Sequence, residues 1–190
     1  MTKLTESTIE NWAIELLQAQ GYTYLYGPDI APESATAERA RYDEVVLVEH
    51  LRAAVRRINP LIPIAAQDEA IAQVLRIASP DVLANNEAFH RLLTEGVPVT
   101  VQVGGESRGD FVRLVDFDAV DMNDFVVVNQ FTITHNHQTK RPDVVVFVNG
   151  LPLVVLELKN AADENASVNS AHRQLETYMQ AIPSLFTFNA

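Results

Sequence analysis

A chain of 190 residues, 47% of them apolar, can bury a substantial core by itself, and one domain covering 1-190 is the expectation. The absence of cysteine excludes disulfides and thiolate metal sites, while a polar start (Met1 to Glu10) and a longest apolar run of only Leu151 to Leu156 exclude a signal peptide and a membrane span, so a cytoplasmic protein without membrane contact is expected. A formal net charge of -11 argues against a free-standing protein that grips nucleic acid over a broad basic surface.

In chain order, Ser7-Thr8-Ile9-Glu10 fits a capping box, and Ile9, Trp12, Ala13, Leu16 and Leu17 follow at helical spacing until Gly21. A second helix is predicted from Thr36 to Ile58, closed by Asn59-Pro60. Two shorter helices follow, Gln67 to Ala78 and Asn85 to Glu95, the latter stopped by Gly96. The apolar period then changes to two. Val99 to Val103, Phe111 to Phe117, Phe125 to Thr134, Asp143 to Val148 and Leu153 to Lys159 read as five strands, rich in Val and Phe and bounded by Gly, Asn, Asp and Pro. Val168 to Ile182 returns to helix and Pro183 stops it. The pattern implies an α/β fold, a mixed β-sheet flanked by helices with a helical N-terminal half.

Arg141-Pro142-Asp143, the apolar run to Val148, Asn149-Gly150, and Leu153 to Glu157-Leu158-Lys159 read as a β-hairpin with charges at its open end. Charges beside so apolar a strand need compensation, because an unpaired buried charge is costly. A divalent cation compensates well. A two-residue turn in a regular ladder would pair position 143 with 156 and put Asp143 and Glu157 on opposite faces. A three-residue loop at Val148-Asn149-Gly150 pairs 143 with 155 and puts Asp143, Glu157 and Lys159 on one face, so an odd loop, or a bulge beside Asp143, is expected. Two converging carboxylates, with the Leu158 backbone carbonyl as a third ligand, suit Mg2+. Lys159 would orient or help deprotonate a water attacking a phosphodiester.

Asp followed by Glu-x-Lys on a hairpin, with a helix beyond, resembles the PD-(D/E)-x-K nuclease superfamily. Gln174-Leu175-Glu176-Thr177-Tyr178 narrows this, because Gln-x-x-x-Tyr on the next helix resembles the RecB-like branch and the restriction subunits of type I restriction enzymes. The run from Asn129-Gln130-Phe131 to Phe186 through Ala190, with Thr5 to Gly21 and Arg57-Ile58-Asn59-Pro60, is similar to the N-terminal endonuclease part of those subunits. The resemblance implies a restriction-endonuclease-like fold. Asp143, Glu157 and Lys159 would be catalytic, Gln174 and Tyr178 supporting, and Glu10 either a metal ligand or only a cap. It also implies double-stranded DNA and the modification and specificity subunits as partners. The chain lacks a Gly-x-x-x-x-Gly-Lys-Ser/Thr phosphate loop, so the ATP used by such subunits is not expected to bind here, and a fragment of a longer chain is expected. Two other readings are a stand-alone RecB-like repair nuclease and a non-catalytic docking module.

Other features have plainer readings. Arg52, Arg56 and Arg57 fit a solvated helix face, as do His172 and Arg173, with DNA or partner contact as the alternative for both groups. His135-Asn136-His137 reads as a strand-end loop, and Asp116 and Asp118 as a strand terminus facing water.

Overall fold

The computed structural model describes residues 5–77, 79–159 and 167–189. The fold class is the expected mixed α/β one. Its central sheet has four strands in the order β1 (Thr23–Tyr26), β4 (Phe125–Asn129), β7 (Val144–Val148) and β8 (Leu151–Leu156). β1 runs parallel to β4, and the other two pairings are antiparallel. Two small antiparallel ribbons stand apart, β2 (Val97–Val103) with β3 (Glu106–Val112) and β5 (Ile133–His135) with β6 (Gln138–Lys140).

The sheet is apolar on both faces, which explains why β4 and β7 read as continuous valine runs instead of alternating ones. Val126, Val128, Val145 and Phe147 point into the main core, shared with α2 (Val48–Ile58), α3 (Ile64–Leu75), α4 (Val82–Glu95), α5 (Val168–Ala181) and α6 (Pro183–Thr187). Val127, Val144 and Val146 point the other way and pack with Ile14 of α1 (Glu6–Ala19). Among the described residues α1 is the helix that covers this face. α5 sits on the opposite face, anchored through Leu175 and Tyr178 and, just past its end, Ile182.

Several expectations are corrected. The helix expected from Thr36 begins only at Val48. Before it, the Glu44 carboxylate accepts the backbone N–H groups of Ala40 and Arg41, and the buried Arg39 guanidinium donates to the carbonyls of Thr132 and Glu44 while lying 3.9 Å from the Phe131 ring centroid. Side-chain bonds thus replace the helical ladder. The strand expected over Phe111 to Phe117 ends at Val112, because the Asn59 amide occupies both the N–H and the carbonyl of Arg113 where a neighbouring strand would bind. The strand expected over Phe125 to Thr134 breaks at Gln130, whose φ is 55. β1 and the pairing of Gln138–Lys140 had no periodic signal of their own, being only four and three residues long.

The three-residue loop is also corrected. Asn149 and Gly150, with φ of 53 and 76, form a two-residue turn between the paired Val148 and Leu151, in the left-handed conformation that suits right-twisted hairpins. The register is recovered by a bulge between Val146/Phe147 and their partners, with Leu153 as the extra residue. The bulge adjoins Pro152, which has no N–H for the ladder, and sits on the edge strand where such a loss is tolerated. It lies well short of Asp143, not beside it, and Val144 then pairs with Leu156 instead of Val155. Asp143 and Glu157 consequently leave the ladder directly opposite each other.

Candidate active site

The hairpin mouth is built by residues just outside the paired strands. Asp143 precedes β7, and Glu157, Leu158 and Lys159 follow β8. The Leu158 backbone N–H donates to Asp143 Oδ2 at 2.7 Å, while the Leu158 side chain packs with the α1-side cluster, so the Glu-x-Lys backbone is held from both directions. Lys159 Nζ donates to Glu157 Oε1 at 2.8 Å and to Gln174 Oε1 at 3.0 Å.

Gln174 connects this cluster to α5. Lysine can only donate, so the amide oxygen must face it and the amide nitrogen must face Tyr178, whose hydroxyl accepts at 2.7 Å. The Tyr178 hydroxyl keeps its own proton to offer and lies near Glu157. It does not complete a hydrogen bond to Oε2. The Glu157 side chain is only 1% exposed, and Oε2 is buried with no partner among the described residues.

Electrostatics reflect this confinement. Burial pushes the Asp143 carboxyl above its ordinary value, opposed by the Leu158 N–H and Lys159 and reinforced by Glu10 and Glu6. Burial raises Glu157 as well, the Lys159 hydrogen bond opposing and Asp143 adding to it. Its hydrogen bond to Glu157 holds the Lys159 ammonium above the usual lysine range. The centre therefore holds two carboxylates reluctant to ionise and a lysine fixed as a cation.

Glu10 takes neither of its expected forms cleanly. Thr5, not Ser7, caps α1, its hydroxyl accepting from the Thr8 N–H, so Glu10 lies inside the helix and caps nothing. Its carboxylate instead accepts from Asn129 Nδ2 at 2.6 Å and from Gln130 Nε2 at 3.2 Å. Tyr24 donates to Asn129 Oδ1, and the Gln130 N–H reaches the Asp143 carbonyl at 3.4 Å, so this network borders the hairpin mouth. Gly27 permits it: a Cβ there would come within 2.5 Å of the Gln130 carbonyl oxygen. Tyr24, Asn129, Gln130 and Glu6 were not singled out as site residues from the sequence. The Asn129-Gln130 pair at a strand end was the one available hint.

A divalent ion fits the chemistry of Asp143 and Glu157. Magnesium takes one or two carboxylates and completes its shell with water and phosphate oxygens, and Glu157 Oε2 is a buried carboxylate oxygen lacking a donor among the described residues. Among the described residues no three His, Cys, Asp or Glu side chains converge into a ready-made cage, so Glu10 does not join the pair as it stands.

The remaining candidates lie elsewhere. Arg52 pairs with Glu49 and Asp68, and Arg57 donates to the Met122 carbonyl, both structural uses. Asn136 and His137, with φ of 46 and 64, form the tight turn between β5 and β6, as a strand-end loop should. Asp116 accepts the N–H groups of Asp118 and Ala119 and shapes a turn. No helix among the described residues is long and apolar enough to cross a membrane.

Comparison with known proteins agrees with the resemblance. Residues 3–190 match the family described as type I restriction enzyme R protein N terminus. The chain is 41% identical to the type I restriction enzyme HindI endonuclease subunit of Haemophilus influenzae, over 98% of this chain and 18% of that protein. It is 33% identical to the putative type I restriction enzyme MjaIXP endonuclease subunit of Methanocaldococcus jannaschii, again over 98% of this chain and 18% of the relative. The chain thus spans under a fifth of the length of the relatives it matches, and it belongs to the family of type I restriction enzyme R protein N-terminal domains.

Proposed function

We propose that this chain is the magnesium-dependent nuclease domain of a type I restriction enzyme, a type I site-specific deoxyribonuclease that hydrolyses phosphodiester bonds of double-stranded DNA. The observation that carries the reading is Glu157, a carboxylate almost wholly withdrawn from water with one oxygen unpartnered among the described residues, facing Asp143 across the hairpin. Burial on these terms costs stability and suits an added cation. A docking module would have no use for it.

Asp143, Glu157 and the Leu158 carbonyl would hold Mg2+, which when bound lowers the pKa of water and offsets phosphate charge. Glu10, held by Asn129 and Gln130, keeps a further carboxylate beside that shell. Lys159 stays protonated, so it orients the attacking water and stabilises charge on the phosphate instead of taking up a proton. Gln174 fixes the ammonium from α5, and Tyr178 fixes Gln174. Neither touches the reacting atoms in this scheme. Movement of DNA, and the ATP that drives it, belong to motor domains outside these residues, and the modification and specificity subunits complete the complex.

Glu157→Ala in the assembled enzyme tests the assignment. Cleavage of a plasmid bearing the recognition site should fall by a factor of about 100 or more, with ATP hydrolysis retained. Cleavage at the wild-type rate would remove the proposal.

A further inference from the structure

The hairpin mouth opens into a second feature that the chemistry above does not use. Between the β5–β6 hairpin and α5 runs an open groove of about 490 Å³. Lys140 and Arg141 line it from the hairpin side, and Ser170, Arg173, Gln174 and Thr177 from the helix. Those four helix positions are spaced by three, four and seven residues and so share a face. No carboxylate among the described residues lines the groove.

That is unusual in this molecule. The chain carries a net charge of -11, and many of its surface arginines are tied to acids, as Arg41 is to Asp43, Arg52 to Glu49 and Arg108 to Asp110. Lys140, Arg141 and Arg173 form no ion pair among the described residues. Cations on both walls, hydroxyls beside them and no lining acid among the described residues suit a polyanion with regularly spaced charges.

Gln174 sets the direction. It lines the groove and also receives Lys159 Nζ at 3.0 Å, so the groove leads straight to the catalytic lysine. The aromatic ring at its edge, Tyr178, is buried and its hydroxyl engaged, leaving no open face on which a base could stack.

We propose that this groove is a phosphodiester-backbone track, in which Lys140, Arg141 and Arg173 hold the phosphates adjoining the one to be cut, without reading base identity. The proposal rests on the nuclease reading. It also reconciles an acidic domain with a DNA substrate: the basic footprint is concentrated in one groove beside the cut. Because phosphate contacts carry no sequence information, selection of the site remains with other subunits.

The test is the triple change Lys140→Gln, Arg141→Gln, Arg173→Gln in the assembled restriction complex, beside Glu157→Ala. At about 0.15 M ionic strength the triple variant should cleave plasmid about tenfold or more slowly, recovering as salt is lowered, with ATP hydrolysis unchanged. Manganese binding, read by calorimetry, should be retained, and the charge-preserving set Lys140→Arg, Arg141→Lys, Arg173→Lys should restore most of the rate. Wild-type cleavage by the glutamine variant at every salt concentration overturns the track, as does a loss that the charge-preserving set does not repair. If Glu157→Ala is inactive while the glutamine variant cuts normally, the track fails and the nuclease reading stands. If Glu157→Ala itself cuts normally, the failure lies in the nuclease reading.

Discussion

Asp143 shows how burial, more than neighbouring charge, shapes the centre. Its folded-state pKa lies above the ordinary carboxylate value, chiefly through desolvation, so the folded protein takes up this proton more readily than the unfolded chain. Stability linked to Asp143 is therefore greatest below the ordinary carboxylate range and is lost as pH rises through the raised value. Asp143→Asn, which keeps an oxygen for the Leu158 N–H, should raise the melting temperature of the metal-free chain at neutral pH by a few degrees, the scale that about 1 kcal/mol sets in a domain of this size. The advantage should vanish as the medium is acidified, and stabilisation by added manganese should disappear. Thermal scans across pH with and without the ion check both; a lower melting temperature at neutral pH would refute the desolvation argument. Asp143, Glu157 and Lys159 were legible in the sequence as charges intruding on an apolar strand. Glu6 and the Asn129-Gln130 clamp were not, because each carries its role only through a partner distant in the chain.

At the scale of elements, the hairpin β7–β8 decides whether the charged residues meet. Its turn is held from several sides: fully buried Asn149 accepts the Asp124 N–H and donates to the Leu114 carbonyl and to Asn123, while the Leu47 N–H donates to the Gly150 carbonyl. Gly150 is required, since a Cβ would collide with the Leu47 carbonyl and come within 2.9 Å of Leu51 N. Asn149→Ala removes three side-chain hydrogen bonds and should cost on the order of 3 kcal/mol, roughly 1 for each bond. Chemical denaturation measures that loss, and a value within error of wild type would show that the turn is not held by these bonds. The need for Asp143 and Glu157 to share a face was legible beforehand. The means was not: an Asn-Gly turn dictates one register and the Leu153 bulge beside Pro152 restores the other, which no periodicity reports.

At the scale of the whole molecule, the central sheet separates two unequal layers. α1 rests on the small cluster of Ile14, Val127, Val144 and Val146 and brings Glu10 to one side of the hairpin mouth, whereas α5 belongs to the main core and brings Gln174 and Tyr178 to the other. Ile14→Ala should destabilise by about 2–4 kcal/mol, within the usual range for a buried isoleucine, and the loss should be local. Amide exchange should quicken in α1 while β4 and β7 stay protected, and manganese should bind more weakly. Uniform loss of protection would instead show that the two layers unfold together. The amino-acid order alone determined the α/β class, the helices α1, α4 and α5, the valine strands and the three charged residues of the hairpin, because periodicity, capping and turn residues act over a few neighbours. Only the tertiary structure decided where α2 begins, that β1 joins the sheet, how the bulge sets the register, and that Glu10 borders the hairpin mouth on one side while Gln174 and the groove of Lys140, Arg141 and Arg173 lie on the other. Those outcomes depend on hydrogen bonds and packing between segments up to 120 residues apart, such as Glu10 with Gln130, whose energies no local pattern encodes.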